Sequence, residues 1–202
     1  MKNYSALPDR EKEALVNKAR ELAYATEMKY GNCVQSVLNA LREVFPDMGI
    51  TQEMIKGCFG LAGGCCISLK GTCGALSATA FAVSLFYGRP ADDFGGYYED
   101  CHALIRTVMD DFEKEYGGVL CSEVLTHNMG AAYDWKTKDG LDAYNAHDGS
   151  SHDASVVAWC TGRVAGMLVD GTLVPGGARP DVANPYYRSP ASLEAEKSRK
   201  NG

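Results

Sequence analysis

Apolar residues recur at three- and four-residue spacing along most of the chain, and the breaks between these runs fall on glycine or proline. Leu15, Val16, Ala19, Leu22 and Ala23 form the first stripe, entered through Pro8-Asp9-Arg10-Glu11 and stopped at Gly31. Proline and acids in the first turn and glycine after the last mark an amphipathic helix. A second helix is predicted from about Asn32 to Phe45, with Val34, Val37, Leu38, Leu41 and Val44 on one face and Pro46 as its stop. Cys33 lies four residues before Val37 and eight before Leu41, so it shares their face. Thr51 caps a short helix through Ile55 towards Cys58, and Thr72 caps one from Cys73 to about Tyr87. Further helices are predicted from about Tyr98 to Tyr116, for a turn or two from Cys121, and from about Asp153 to Val169. Their stripes are Cys101, Leu104, Val108 and Phe112 in the first case, and Val156, Val157, Cys160 and Val164 in the last.

Residues 128–152 are rich in Asn, Asp, Gly and Ser and read as a surface excursion. Residues 170–202 read as an irregular C-terminal extension, with Ser192 to Lys200 a frayed helix or disordered end. No strand-like alternation of useful length appears. The expected fold is all-α: a compact helical bundle over residues 1–169 with a glycine- and cysteine-rich loop.

Charge narrows the function. The chain has 202 residues and a formal net charge of −6, without the clustered Lys and Arg that a nucleic-acid surface needs. Its most apolar run, Ala75 to Tyr87, is too short to span a bilayer. The N-terminus lacks a signal-peptide apolar core, so a cytoplasmic protein is expected.

Eight cysteines then sit in a reducing compartment, where metal ligation or catalysis is a better use for them than structural disulfides. Four of the eight, with six glycines, fall between Gly57 and Gly74. Thiolate is the soft ligand and two-electron redox group of proteins. Glycine lets backbone pass close to a bound group and frees amides to point at it, so Gly63, Gly64 and Gly74 are the candidate cofactor-approach positions. Cys73, at a helix start, is expected to be the most activated thiol. The adjacent Cys65 and Cys66 could form a vicinal disulfide or add ligands. His102, His127, His147 and His152 keep mostly polar company and read as solvated. There is no Cys-x-x-Cys, so thioredoxin, zinc-knuckle and covalent haem patterns are absent.

Any metal must therefore be held by cysteines from distant segments. Cys33, Cys73, Cys121 and Cys160 each fall on a separate predicted helix, 40, 48 and 39 residues apart. Helix bundles build metal sites from inward side chains in this way. Four thiolates suit an iron–sulfur cluster, or a closed zinc site as the alternative. Cys101 fits an inward face equally well.

Tyr30-Gly31-Asn32-Cys33-Val34-Gln35-Ser36-Val37, then Gly71-Thr72-Cys73-Gly74-Ala75-Leu76-Ser77-Ala78, then lone cysteines at 121 and 160, resemble the C-GCAxxG-C-C family of redox proteins. The likeness covers roughly residues 13 to 169. A related domain occurs in split-Soret cytochromes, where a non-haem iron–sulfur centre accompanies the haems. The resemblance implies that Cys33, Cys73, Cys121 and Cys160 are the functional set. Ala78 stands where the family pattern ends in glycine, and Cys65-Cys66 and residues 128–152 look like additions. The expected function is redox or electron transfer through a cluster, with a redox enzyme or electron carrier as partner and a homo-oligomer possible. The alternatives are a metal-free thiol oxidoreductase using Cys73 with Cys65 or Cys66, and a zinc-stapled structural or partner-binding domain.

Overall fold

The computed structural model describes residues 2–92, 99–174 and 190–200. Its α-helices are α1 (Asp9–Tyr30), α2 (Cys33–Val44), α3 (Gln52–Gly57), α4 (Gly74–Tyr87), α5 (Glu99–Tyr116), α6 (Cys121–Met129), α7 (Lys138–Ala146), α8 (Gly149–Asp170) and α9 (Pro190–Lys200). Among the described residues no strand forms, and an isolated antiparallel bridge joins Thr72 to Leu120. The chain is all-α, as its periodicity predicts.

The two longest helices, α1 and α8, pack along each other, and α2 and α4 complete the core around them. Small residues make this close approach possible: Ala19 and Ala23 of α1 and Ala165 of α8 are fully buried. Val37, Leu38 and Leu41 of α2, Ala78 and Val83 of α4, and Val157 and Val164 of α8 fill the centre. The α5 helix packs on α4, and its Phe112 and Tyr116 meet Trp159 of α8 with ring centroids 5.6 and 5.8 Å apart. Burying such apolar area at about 25 cal/mol per Å² is what holds the helices together.

Local chemistry sets the helix ends that matter for function. Gly31, at φ +68°, stops α1, and Asn32 takes a left-handed conformation at φ +67°, so the chain reverses within two residues. Asn tolerates that conformation, and its Oδ1 accepts from the Gln35 N–H at 3.2 Å to cap α2. Thr51 caps α3 through the Met54 N–H, as expected.

Several expectations change. Thr72 does not cap α4; it is held in the bridge to Leu120, and Cys73 occupies the capping position. The α8 helix begins at Gly149, earlier than its apolar stripe suggested. The segment read as a surface excursion carries α7, whose Tyr144 is buried. The start of the C-terminal extension is tied down: Leu173 is buried, and the Tyr87 hydroxyl donates to the Thr172 carbonyl at 2.7 Å. Ser192 to Lys200 lies within α9, where Arg199 approaches the Asp100 carboxylate at 3.8 Å. Gly95, Gly96 and Tyr98 lie outside the described residues. Among the described residues no helix is long and apolar enough to cross a membrane.

Gly64 has no room for a side chain. Its φ is +66°, and a Cβ would stand 2.8 Å from the Gly71 carbonyl oxygen and 2.9 Å from Cys121 Cβ. Gly64→Ala is expected to destabilise the apoprotein by about 2–5 kcal/mol, adding left-handed strain to overpacking. Urea denaturation of the two proteins measures it, and an unchanged midpoint would contradict this packing.

Candidate functional site

Three of the four expected cysteines sit at helix starts, and the backbone draws those starts together. Cys33 is the first residue of α2, Cys73 caps α4 and Cys121 opens α6. The Cys73 N–H donates to the Val119 carbonyl at 2.8 Å, and the Cys121 N–H donates to the Gly71 carbonyl at 2.9 Å. Those two bonds flank the Thr72–Leu120 bridge and hold the starts of α4 and α6 together. Gly74 lets α2 come close: a Cβ there would stand 2.5 Å from Cys33 Sγ and 2.9 Å from Val34 Cγ2. Cys160 arrives from the middle of α8, fully buried, beside the Thr79 hydroxyl of α4.

The four thiols influence one another electrostatically. Cys33 is affected by Cys73, Cys73 by Cys121, Cys121 by Cys33, and Cys160 by both Cys73 and Cys33. The structure thus brings together the set that the resemblance implies. Among the described residues no three His, Cys, Asp or Glu side chains are close enough to surround a single metal ion.

Burial dominates their chemistry. It pushes the Cys73 thiol up to about 12, although the Leu76 and Ala75 amides favour its thiolate. This corrects the expectation that Cys73 is the most activated thiol. A helix terminus contributes at most about 2 kcal/mol, roughly one and a half pKa units, and desolvation at this depth outweighs it. Burial also pushes Cys121 up to about 12 and raises Cys33 and Cys160, with the Gly63 amide opposing it at Cys33 and Thr79 opposing it at Cys160.

Cys33, Cys73 and Cys121 line a cavity of about 650 Å³, which Cys66 also reaches. Buried residues such as Ala75, Val156 and Val157 form its floor, and exposed Tyr30, Phe59, Ile67 and Leu141 rim its mouth. The segment 128–152 supplies one wall through Trp135 and Tyr144, whose rings meet edge to face at 5.2 Å.

The glycine- and cysteine-rich loop borders the opposite side. Gly63, Gly64, Cys65, Cys66 and Ile67 all have φ between +52° and +68°, a full turn of left-handed backbone. Each of its three non-glycine residues costs about 1–2 kcal/mol. Strain of this kind persists where the surroundings hold it in place, commonly at functional sites. Here the Ser68 hydroxyl donates to the Gly64 carbonyl at 2.7 Å, and the Cys66 N–H donates to the Gly60 carbonyl at 2.8 Å. Cys65 and Cys66 are exposed free thiols, and the neighbouring Cys66 raises the Cys65 thiol.

Two carboxyl groups in the cavity wall were missed by reading the sequence. Asp153 accepts a hydrogen bond from the Tyr144 hydroxyl at 2.8 Å, and burial pushes its carboxyl up to about 7. Glu27 is buried, with Oε2 lacking any partner, and burial raises its carboxyl against the opposing Ser36 hydroxyl. Both lie on apolar stripes: Glu27 is four and eight residues after Ala23 and Ala19, and Asp153 is four and seven before Val157 and Cys160. An acid in register with a buried stripe was the available signal. Cys101 and Cys58 are buried core residues, with Cys101 Sγ 3.8 Å from Ser84 Oγ. His147 is taken up by Tyr133, 3.3 Å from its hydroxyl and stacked on its ring, and by the Ala143 carbonyl.

Fold and site together define an all-helical protein in which Cys33, Cys73 and Cys121 line a largely apolar cavity and Cys160 is buried beside Thr79. Residues 31–168, about two thirds of the chain, match the family model described as "Putative redox-active protein (C_GCAxxG_C_C)", and the chain belongs to that family. No curated protein and no solved structure matches the chain.

Two measurements check this electrostatic picture. Iodoacetamide should alkylate Cys65 and Cys66 of the folded apoprotein first, with Cys73, Cys121 and Cys160 at least tenfold slower, as read by peptide mass spectrometry. Asp153, ordinarily near 3.8, keeps its proton in the fold up to about 7. Apoprotein stability should therefore fall as pH rises from about 4 to about 7, because the native state binds the extra proton. Asp153→Asn should flatten that slope in urea titrations. An identical slope would show that the carboxyl is solvated.

Proposed function

We propose that this member of the redox-active family is an electron-transfer protein holding an iron–sulfur cluster on Cys33, Cys73, Cys121 and Cys160. The observation that carries the reading is three cysteines from three helix starts lining one cavity, with buried Cys160 of a fourth helix electrostatically linked to two of them and glycine where a Cβ would strike Cys33 or Cys121. A cubane cluster takes four thiolates, one on each iron, which stand wider apart than the ligands of a single ion. Zinc fits less well for the same reason.

A cluster held here would supply one-electron transfer, with a potential set by hydrogen bonds to sulfur, net charge and access of water. The residues present act on each of these. The Gly63 amide faces the Cys33 sulfur, and the Ala75 and Leu76 amides face that of Cys73; donation to sulfur stabilises the more negative, reduced state. Gly64 clears the path beside Cys121, and Gly74 clears it beside Cys33. Burial of Cys73, Cys121 and Cys160 limits water, and ionised Asp153 would oppose reduction. We read the partner as an electron carrier or redox enzyme, and the compartment as a reducing one such as the cytoplasm.

The metal-free alternative, in which Cys73 attacks and Cys66 or Cys65 resolves, draws support from Cys66 lining the same cavity. It is weakened by Cys73 being protonated near neutral pH.

Single serine substitutions at Cys33, Cys73, Cys121 and Cys160 should each remove most iron from anaerobically reconstituted protein, since hydroxyl is a harder and far less acidic ligand. Cys101→Ser should keep its iron at a stability cost of about 1–3 kcal/mol. Loading should steepen with rising pH, because each raised thiol must lose its proton. Iron retained in the four variants and lost from those of Cys58, Cys65 or Cys66 would assign the site to the wrong cysteines.

A further inference from the structure

The cavity beside the thiols has a lining that iron–sulfur ligation does not explain. Its volume, about 650 Å³, falls within the roughly 300–1,000 Å³ of pockets that hold small organic molecules. Among the described residues its ionisable carboxyls face no basic side chain. Glu27 and Asp153 both face it, and no Lys, Arg or His lines it. Glu27 is 8% exposed, and its Oε2 has no hydrogen-bond partner. A buried carboxyl oxygen without a partner is costly, and protein groups do not meet the cost here. Nearby, the Trp135 indole N–H is also buried without an acceptor.

Aromatic rings make up much of the rest: Tyr30, Phe59, Trp135 and Tyr144. Among the described residues seven large hydrophobics are exposed, and four of them, Tyr30, Phe59, Ile67 and Leu141, rim this mouth. Carboxylates and aromatic faces without a competing cation are the chemistry that recognises organic ammonium groups. An anionic ligand would meet two carboxyl groups, and a purely apolar one would leave Glu27 unpaired.

We propose that this cavity binds an organic cation, an amine or quaternary ammonium compound with an apolar body. Its charged nitrogen sits by Glu27 and Asp153, and its body lies against the aromatic walls. Burial opposes ionisation of both carboxyls and a bound cation restores it, the protons passing to water. An oxygen acceptor on the ligand would satisfy the Trp135 indole N–H. Binding of this kind needs no covalent step.

The test is titration of the full-length protein, as purified anaerobically, by calorimetry with three probes: benzyltrimethylammonium, benzyl alcohol and benzoate. The cation should bind saturably, at least about tenfold tighter than benzyl alcohol, and benzoate should not bind. Glu27→Gln should weaken the cation about tenfold while leaving benzyl alcohol unchanged. Tyr30→Ala, at an exposed ring whose loss spares the core, should weaken the cation several-fold and serves if the carboxyl variant fails to fold. Equal binding of cation and alcohol would overturn the proposal, as would no saturable binding of the cation. Loss of bound iron in Glu27→Gln, with cation affinity intact, would also overturn it by making the carboxyl part of the metal site.

Discussion

The architecture of the site depends on three helix starts being packed closer together than side chains ordinarily allow. Hydrogen bonds on either side of the Thr72–Leu120 bridge hold the starts of α4 and α6 together, and the missing Cβ of Gly74 lets Cys33 approach α4. A methyl at Gly74 would fall within 2.5 Å of the Cys33 sulfur, and one at Gly64 within 2.9 Å of Cys121 Cβ. The thiol cluster is therefore a consequence of backbone contact. The large helices α1 and α8 supply the buried volume behind it, and Cys160 closes the set from α8.

That same closeness determines the chemistry. Thiols at helix starts gain from free amides, yet these are so deeply buried that desolvation prevails and they remain protonated near neutral pH. A set of neutral, mutually close thiols makes a poor nucleophile and a good receptor for a metal that displaces their protons. The left-handed turn at residues 63–67 fits this picture: it places the Gly63 amide by Cys33 and leaves Cys65 and Cys66 exposed, with Cys66 at the cavity.

Much of the fold was legible in the sequence because helical stripes and their stops are local. Gly31, Thr51, Pro46 and Gly117 mark ends that the structure keeps. The α7 helix was not legible, since Lys138–Ala146 mixes Asp, Gly and Asn through its apolar positions and is held by Tyr144, whose ring meets Trp135 and whose hydroxyl reaches Asp153 of α8. The capping role of Cys73 was hidden because Thr72 is the better cap locally, and only the pairing with Leu120 removes it. The cysteine set was visible from spacing and family likeness together. Its protonation was not, because pKa follows depth of burial, which is a tertiary property. Glu27 and Asp153 went unread, although each is an acid in register with an apolar stripe, and both line the cavity.

The central claim, that four gathered thiols hold an iron–sulfur cluster, is tested most directly by chemical analysis of the protein purified without oxygen. Iron and acid-labile sulfide should be present in equal amounts, about two or four of each per chain, accompanied by visible sulfur-to-iron charge-transfer absorption. A colourless protein that takes up neither iron nor sulfide on anaerobic reconstitution would contradict the account.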